Sequence, residues 1–359
     1  MPRISILKKN KIKRLLRFGL YTSLFFALIF FIDTNKFFPS QLISGFIFGL
    51  LVGILEEITS HRRFVSISIQ LQFIIKLAGI LFIILLLASV LILSFYLFHN
   101  IDFKQIWAHM GEKEITSPIV SALLVATGVS TYFQIERLVG KNMLKNYLKG
   151  RYRKPKKEIR VFLFMDLKSS TSLSEKLGND TYYSFLNDAI YEMSESIIQT
   201  KAEIYQYVGD EIVFTWPLDK GITNNNCLRL YEKINERLEK KKSYFMKNYG
   251  YEPKFKGAIH AGIVLAAEIG HIKKDIVYSG DVLNATARME SLCNKYEADV
   301  LISKSLFNLL DKKHEIVYED LGAITLKGKD EKLELIKIHL QGSSYRHERE
   351  EIEKVLKGK

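Results

Sequence analysis

The chain has 359 residues, enough for more than one domain, and its 52 lysines and arginines outnumber its 39 acidic residues. Such an excess of positive charge indicates nucleic acid or anionic lipid as a partner. The basic residues cluster beside apolar segments and no basic-aromatic binding pattern occurs, so we expect a lipid membrane and no nucleic acid. The two cysteines, Cys227 and Cys293, lack metal-ligand spacing and fit a reducing cytosol.

Four apolar runs dominate the N-terminal half and predict a four-helix transmembrane domain over residues 1–135. They cover residues 18–32, 42–55, 77–98 and 118–133. A helix needs ~20 residues to cross the hydrocarbon core of a bilayer, and only the third run reaches that length without its flanks. For the two shortest runs a re-entrant hairpin is the alternative. Lys76, at the edge of the third run, fits a side chain that reaches the lipid interface rather than a functional group.

The distribution of lysine and arginine predicts the orientation in the membrane. Seven basic residues and no acidic residue precede the first run, and Arg62 and Arg63 lie between the second and third runs. The two opposite loops contain only Lys36, Lys104 and Lys113. The positive-inside rule therefore predicts a multi-pass protein of the cell (inner) membrane with both termini and the C-terminal half in the cytoplasm. No small-residue cleavage site follows the first run, which favours an uncleaved anchor over a signal peptide.

Residues 136–157 are predicted to form a helical linker. Ile135, Val139, Met143 and Tyr147 recur at four-residue spacing, which indicates an amphipathic helix that ends at Gly150. Two interpretations remain open. The helix could pair with the same helix of a second protomer and couple the two halves of the chain, or it could lie as a basic helix on the lipid surface.

The C-terminal half alternates strands and helices in an order that predicts a ferredoxin-like α+β sandwich, residues 158–340, followed by a charged tail, residues 341–359. Ser172 and Glu175 have the spacing of a capping box at the start of a helix. Two short strands flank Gly209, Asp210 and Glu211, which is a hairpin signal. The predicted strands cover residues 159–165, 204–208, 212–216 and 255–263, and the later helices cover 223–247 and 284–293.

Two carboxylates are predicted to lie together at the ends of these strands. Asp166 closes the first strand and Asp210 occupies the hairpin turn. Because the first strand of such a sheet pairs with the hairpin, both side chains can reach one point. Hard oxygen ligands with room for phosphate are what Mg²⁺ or Mn²⁺ needs, and two such ions can clamp an in-line phosphoryl displacement. Each aspartate alone could instead be an ordinary turn former or helix cap.

Four segments, in the same order along the chain, make residues 158–340 similar to the class III adenylyl and guanylyl cyclases. They are VFLFMDLKSST at 161–171, YVGD at 207–210, GDVLNATAR at 280–288 and LKGK at 326–329. The resemblance implies a cyclase that converts ATP into 3′,5′-cyclic AMP and pyrophosphate, and it implies an α+β catalytic domain of the class III type.

The resemblance also implies a role for each motif residue. Asp166, Asp210 and the backbone carbonyl of Leu167 would hold two Mg²⁺ (or Mn²⁺) ions, and the residues of the following loop, Ser169, Ser170 and Thr171, would line the nucleotide site. Asn284 would orient the ribose. Arg288, four residues later on the same helix face, would stabilise charge on the α-phosphate, and Lys327 would hold the leaving pyrophosphate.

The same resemblance implies a homodimer, because the aspartate pair and the Asn/Arg pair of one site come from opposite subunits in this family. In its adenylyl members a lysine stands four residues before the second metal aspartate, and here that position is Gln206. The partner position is Val277 rather than Asp or Thr. Gln206 could bond either purine, so a guanylyl cyclase is the alternative to an adenylyl cyclase.

Two other interpretations are weaker. The GDE turn resembles that of the diguanylate cyclases, but Val208 and Ile212 replace the glycine and phenylalanine expected there, and the helix with Asn284 and Arg288 has no place in that family. A degenerate cyclase domain acting only as a membrane signalling partner would have lost Asp166, Asp210 or Arg288. The chain retains all three.

Overall fold

The computed structural model describes residues 6–35, 39–59, 67–99, 112–311, 316–326 and 332–339. The chain divides into two compact units, Met1–Lys141 and Asn142–Lys359, and each unit is described by itself. The predicted charged tail at 341–359 lies outside the described residues.

The first unit consists of long helices over its described residues, and each predicted apolar run lies inside one of them. The helices are α1 (Ile6–Thr34), α2 (Pro39–Thr59), α3 (Ile69–His99) and α4 (Glu112–Val139). Among the residues searched, three segments are long and apolar enough to cross a membrane: Pro39–Thr59, Gln70–Val90 and Ile119–Val139. Run 42–55 therefore belongs to a continuous helix of spanning length rather than to a hairpin. Run 18–32, the other of the two shortest, lies within the continuous helix α1. The four-span topology itself stays a prediction.

Small residues allow α1 and α2 to approach closely. A Cβ added to Gly49 would lie 2.8 Å from the carbonyl oxygen of Phe18, so only glycine fits at this crossing. The hydroxyl of Thr22 donates to the carbonyl of Gly45 across the same contact, at 2.8 Å. The ring of Phe18 also stacks on that of Phe133 in α4, with 4.1 Å between centroids. The first unit thus has an apolar interior of its own.

Charged residues of the first unit form ion pairs between helices. Glu56 of α2 is buried, and its carboxylate pairs with Lys76 of α3 at 3.0 Å and with Arg137 of α4. Arg17 of α1 pairs with Glu136 of α4 at 3.1 Å. The structure therefore pairs the Lys76 ammonium with the buried carboxylate of Glu56. That Lys76 reaches the lipid interface stays a prediction.

The predicted linker forms two helical pieces rather than one. Helix α4 ends at Val139, Gly140 has a φ of +88°, and α5 spans Lys141–Leu148. Glycine adopts this left-handed conformation without a Cβ clash, so the apolar spacing continues while the helix does not. In the second unit Leu144 is buried and Met143 packs against residues of the sheet. Neither the coupler nor the surface-helix interpretation is decided by these contacts.

The second unit is built on a sheet that has eight strands within the described residues. These are β1 (Lys156–Leu167), β2 (Glu203–Val208), β3 (Glu211–Pro217), β4 (Phe255–Ile269), β5 (Asp275–Ser279), β6 (Val300–Ser303), β7 (Tyr318–Thr325) and β8 (Lys332–Ile338). Their order is β2-β3-β1-β4-β6-β8-β7, and β5 pairs with β4. Strand β1 lies between β3 and β4 and is antiparallel to both.

Both faces of the sheet are covered, which confirms the predicted α+β class. Alternate residues of β1 enter two different cores: Leu163 and Met165 pack with Trp216 and Tyr231, whereas Phe162 packs with Tyr278. The helices of this unit are α6 (Ser170–Leu177), α7 (Asn179–Gln199), α8 (Leu218–Ile222), α9 (Asn226–Lys240), α10 (Lys242–Tyr249), α11 (Asp281–Ser291) and α12 (Lys304–Phe307).

Two predicted helix boundaries are wrong. Helix α6 begins at Ser170, so Ser172 lies inside it and donates to the Ser169 carbonyl instead of forming the N-terminal half of a capping box. The single helix predicted over 223–247 is interrupted twice. Asn224 and Asn225 adopt positive φ before α9, and the chain breaks again at Lys241 before α10. Asparagine tolerates the left-handed conformation better than most residues, which permits the first break.

Candidate active site

The two predicted metal ligands lie at the same edge of the sheet. Asp166 is the penultimate residue of β1, and the preceding Met165 is opposite Ile212 of β3. Asp210 lies two residues before Ile212, in the tight turn between β2 and β3. Gly209 supports that turn with a φ of +64°. The hairpin expected from the sequence is therefore confirmed, and it brings Asp210 beside the end of β1.

A lysine and a glutamate that the sequence analysis did not select complete this cluster. Lys256 of β4 is opposite Asp166 in the register of β1 and β4. Its ammonium lies 3.4 Å from Oδ2 of Asp166 and 2.9 Å from Oε1 of Glu290 on α11. The lysine is 9% exposed. The available sequence signal was its position in a largely apolar strand. Its partners, however, come from segments far apart in the chain.

Partial burial and the closeness of the carboxylates raise the pKa of two members of the cluster. Burial, followed by the charges of Asp210 and Glu290, raises the pKa of Asp166 to about 6, although Lys256 opposes the shift. Burial likewise raises the pKa of Glu211 to about 7, with the same carboxylates adding to it. Like charges held together out of water need a compensating cation, and Lys256 supplies only one positive charge.

The Asp166–Asp210 pair fits a divalent cation. Oδ2 of Asp210 is buried and accepts no hydrogen bond from the described residues. A buried carboxylate oxygen that accepts no hydrogen bond raises the free energy of the folded protein unless a cation or a water molecule binds it. In the described part of the chain no cluster of three or more His, Cys, Asp or Glu side chains is arranged to hold a metal. The protein would therefore supply two carboxylates, and a phosphate-bearing ligand would have to supply further oxygens.

The residues after Asp166 form the bend that enters α6. Leu167 has a buried side chain, so its backbone carbonyl is the group through which it could act. Ser169 adopts a left-handed φ of +58°, and Ser170 and Thr171 open the helix. The hydroxyl of Tyr182 interacts with Ser170. Burial, then the charges of Asp210 and Asp166, raises the pKa of Tyr182. The three predicted nucleotide-site residues thus lie next to the carboxylate cluster.

Asn284 and Arg288 lie on α11 but not on its buried face. That face carries Val282, Ala285, Thr286, Met289 and Glu290. Asn284 is exposed and Arg288 is half-buried. Glu290 of this helix is paired with Lys256 in the cluster around Asp166. Lys327, the remaining predicted phosphate ligand, lies outside the described residues.

The two predicted base-reading positions lie on different strands, each beside one member of an aromatic pair. Gln206 follows Tyr205 on β2, and Val277 precedes Tyr278 on β5. The rings of Tyr205 and Tyr278 are 5.1 Å apart between centroids. Gln206 is exposed and Val277 is partly exposed, so both positions are open to a ligand.

Comparison with known families identifies the family of the second unit. Residues 152–340 match the family model described as the adenylate and guanylate cyclase catalytic domain. The chain belongs to this family. The match begins six residues before the domain start predicted at residue 158, so it includes the segment that leads into β1.

The chain is similar in sequence to proteins that are named adenylate cyclases. The chain is 37% identical over 220 residues to adenylate cyclase 2 of Rhizobium meliloti, covering 61% of each chain. It is 26% identical over 185 residues to an adenylate cyclase of Anabaena cylindrica, covering 50% of this chain and 36% of that protein. The chain thus spans less than two thirds of the relatives it matches. A bacterial light-regulated adenylyl cyclase shares the fold, with a TM-score of 0.54 and 17% identity over 64% of this chain and 66% of that chain.

Proposed function

We propose that the chain is a membrane-bound adenylyl cyclase that converts ATP into 3′,5′-cyclic AMP and pyrophosphate at the interface of a homodimer. The observation that carries the proposal is the convergence of Asp166 and Asp210, with a buried Asp210 oxygen that no described residue satisfies. It occurs in a cyclase family domain whose Rhizobium meliloti relative is named an adenylate cyclase.

The carboxylates of this chain would bind two Mg²⁺ or Mn²⁺ ions, which activate the attacking 3′-hydroxyl and neutralise the phosphates when bound. The protein contributes mainly position and charge. Asp166 and Asp210 hold their geometry because β1 and the hairpin are paired, and Lys256 keeps Asp166 oriented from the opposite strand. Ser169, Ser170 and Thr171 lie where the phosphates of a nucleotide would approach the start of α6.

The homodimer is supported by the orientation of α11. Asn284 is exposed, whereas the buried face of the helix contacts this chain's own core. We infer that Asn284 and Arg288 complete the carboxylate cluster of a second copy, where they would orient the ribose and stabilise charge on the α-phosphate. Lys327 would hold the pyrophosphate. Two equivalent sites then form about a two-fold axis.

The purine is the least determined part of the substrate. The amide of Gln206 can accept from the exocyclic amine of adenine or donate to O6 of guanine. Val277 offers no second polar contact. A guanylyl cyclase of the same fold is therefore the second candidate, and the exposed glutamine is the observation that favours it. The named relatives favour ATP.

The membrane part of the proposal rests on the three apolar helices and on the basic residues that flank them. With a fourth span in α1, both termini and the cyclase domain would be cytoplasmic, where ATP is available. The proposed boundaries are 1–135 for the membrane domain, 136–157 for the linker, 158–340 for the cyclase domain and 341–359 for the tail.

Turnover of the purified full chain tests the proposal. The detergent-solubilised protein is incubated with ATP or with GTP in the presence of Mn²⁺, and the product is identified by mass. Cyclic AMP from ATP, at a higher kcat/KM than cyclic GMP from GTP, is the expected result. Cyclic GMP alone would replace the proposal by its guanylyl alternative, and no cyclic product from either nucleotide would refute both.

A further inference from the structure

A buried arginine outside the carboxylate cluster connects two strands of the cyclase domain. Arg160 of β1 is 2% exposed. Its guanidinium donates to Oε2 of Glu203 on β2 at 2.6 Å and to Oε2 of Glu158 at 3.2 Å. Its Nε donates to the hydroxyl of Thr215 on β3 at 3.0 Å. Burying a guanidinium is costly unless each donor is paired, so this geometry is strongly constrained.

The same guanidinium also contacts an aromatic ring on another strand, β5. It stacks over Tyr278 of β5, with 4.6 Å from its carbon to the ring centroid. Tyr278 in turn contacts Tyr205 of β2, and its backbone N–H donates to the Tyr205 hydroxyl at 3.3 Å. Arg160 therefore holds β2 through Glu203 and β5 through Tyr278. These two strands are not hydrogen-bonded neighbours in the sheet.

A bulge in β2 makes the direction of Gln206 depend on this contact. The register of β2 against β3 shifts between Ile204 and Gln206, and Tyr205 is the extra residue. A bulge re-aims the side chains beside it. Tyr205 is held by Tyr278, which lies under Arg160, so the placement of Gln206 follows from the position of that ring. Val277 precedes Tyr278 on β5, so its position also depends on where β5 is held, although the register of β5 against β4 has no bulge.

The segment before β1 holds the other oxygens of the same two glutamates. Oε1 of Glu203 accepts from Nδ2 of Asn142 on α5, at 2.9 Å. Oε1 of Glu158 accepts from the hydroxyl of Tyr152 at 3.1 Å and from Arg151 at 2.8 Å. Each carboxylate that fixes Arg160 is thus also bound by residues that lead into the sheet.

We propose that Arg160 is a positioning residue for purine recognition, which holds β2 and β5 so that Gln206 and Val277 meet the base, and that Asn142 adjusts this placement through Glu203. The inference rests on the proposed function, because it assumes that residues 206 and 277 lie beside the purine. It goes beyond that function because it assigns an influence on purine selection to a residue that does not contact the nucleotide.

The test measures how three variants of the full chain discriminate ATP from GTP. Arg160→Lys keeps the charge but loses the planar fork and the stacking on Tyr278. Asn142→Ala removes only the contact from α5 to Glu203 and lies at an exposed position, so it serves where Arg160→Lys fails to fold. Asn146→Ala is the matched control, since it makes the same change one turn along α5 and Glu203 accepts no hydrogen bond from it within the described structure.

Loss of a well-placed hydrogen bond to the base predicts a change of about three- to tenfold in the ATP:GTP ratio of kcat/KM for Arg160→Lys. Asn142→Ala should shift the ratio in the same direction by about twofold, and Asn146→Ala should leave it unchanged. The Mn²⁺ concentration that gives half-maximal activity should not move, because Asp166 and Asp210 are not altered. An equal loss of activity with both nucleotides would show a merely structural role and overturn the inference.

Failure of the proposed function gives a different result. If the wild-type chain cyclises neither nucleotide, the proposed function fails, and the inference is then judged on binding. ATP and GTP compete for the wild type and each variant against a fluorescent ATP analogue. The same shift in the ratio of their affinities is expected. An unchanged ratio, or equal affinity of the wild type for both nucleotides, would contradict the inference.

Discussion

The aspartates at the edge of the sheet should be required for turnover but not for folding. Asp166→Ala and Asp210→Ala each remove a carboxylate that would hold the metal ions, so we expect activity with Mn²⁺ to fall by about 10²-fold or more. Asp180→Ala, an exposed aspartate at the start of α7, is the control. Near-wild-type turnover in either variant, with an unchanged unfolding temperature, would remove that residue from the catalytic set.

The raised pKa values predict how the stability of the metal-free protein depends on pH. Burial raises the pKa of Asp166 to about 6 and that of Glu211 to about 7, above the ordinary carboxyl range. For such groups the native state binds protons more tightly than the unfolded state. Their contribution to stability is complete at low pH and is lost as the pH rises through about 6 to 7.

In EDTA, the unfolding temperature of the solubilised chain should therefore fall between about pH 5 and pH 7.5, and Mn²⁺ should restore it at the upper end. Asp166→Asn should flatten the pH dependence, since it leaves one fewer buried charge to form. A metal-free protein whose stability rises over that range, in both the wild type and Asp166→Asn, would show that the carboxylates are not crowded as described.

Gln206 predicts shallow discrimination between purines. One hydrogen bond gained or lost contributes ~0.5–1.5 kcal/mol, which corresponds to a few-fold to about tenfold in relative rate. We expect ATP to be preferred with GTP competing measurably, and Gln206→Lys to sharpen the preference for ATP. The measurement is kcat/KM for both nucleotides in the two proteins. An unchanged ATP:GTP ratio in the variant would show that residue 206 does not read the base.

Among the helices of the first unit, the ion pairs of Glu56 predict a stability effect. Glu56 is 3% exposed and pairs with both Lys76 and Arg137. Neutralising one partner of a fully buried ion pair costs about 3–5 kcal/mol, and the cost is smaller here because the side chains of Lys76 and Arg137 are 15% and 32% exposed. Glu56→Gln should therefore lower the unfolding temperature of the solubilised protein clearly.

The neighbouring Glu57 supplies the control. It pairs with Lys11 and Arg14, whose side chains are more exposed. Exposed pairs contribute only about 0–1 kcal/mol, so Glu57→Gln should have little effect. Equal unfolding temperatures for the two variants would mean that the pairs of Glu56 do not stabilise the helices.

Local signals account for the elements that the sequence predicted well. An apolar run predicted the strand that carries Asp166, and a turn signal between two short apolar runs predicted the hairpin around Gly209 and Asp210. The break at Gly140 was missed because the four-residue apolar spacing continues through it. The break at Asn224–Asn225 was missed although three consecutive asparagines stand there. A residue in the left-handed conformation interrupts the helix, but it does not change the spacing of apolar residues in the sequence.

In the candidate site, too, some residues could be predicted from the sequence and others could not. The motif residues Asp166, Asp210, Asn284 and Arg288 follow from the resemblance to the cyclases. Lys256 and Glu290 do not, because their role depends on the register of β4 against β1 and on the rotation of α11. Arg160 is similar, since three of its four partners, Glu203, Thr215 and Tyr278, lie on three other strands. Long-range pairing of this kind leaves no periodic signal in a single sequence.

For the whole molecule, the account makes the dimer the unit of activity. One chain supplies Asp166 and Asp210, and Asn284 and Arg288 of the same chain lie away from the buried face of α11. A single copy could therefore hold the metal ions, but it could not stabilise the charge on the α-phosphate. Two different inactive variants should complement each other if their defects lie in opposite halves of one composite site.

The most direct test mixes two such variants and measures cyclic AMP formed from ATP. Asp210→Ala and Arg288→Ala should each be inactive alone. Co-expressed in equal amounts, they should recover about a quarter of the wild-type rate, because half of the dimers are mixed and each has one intact site of two. If tagged subunits are shown to have paired and no cyclic AMP is formed, the shared-site account is contradicted.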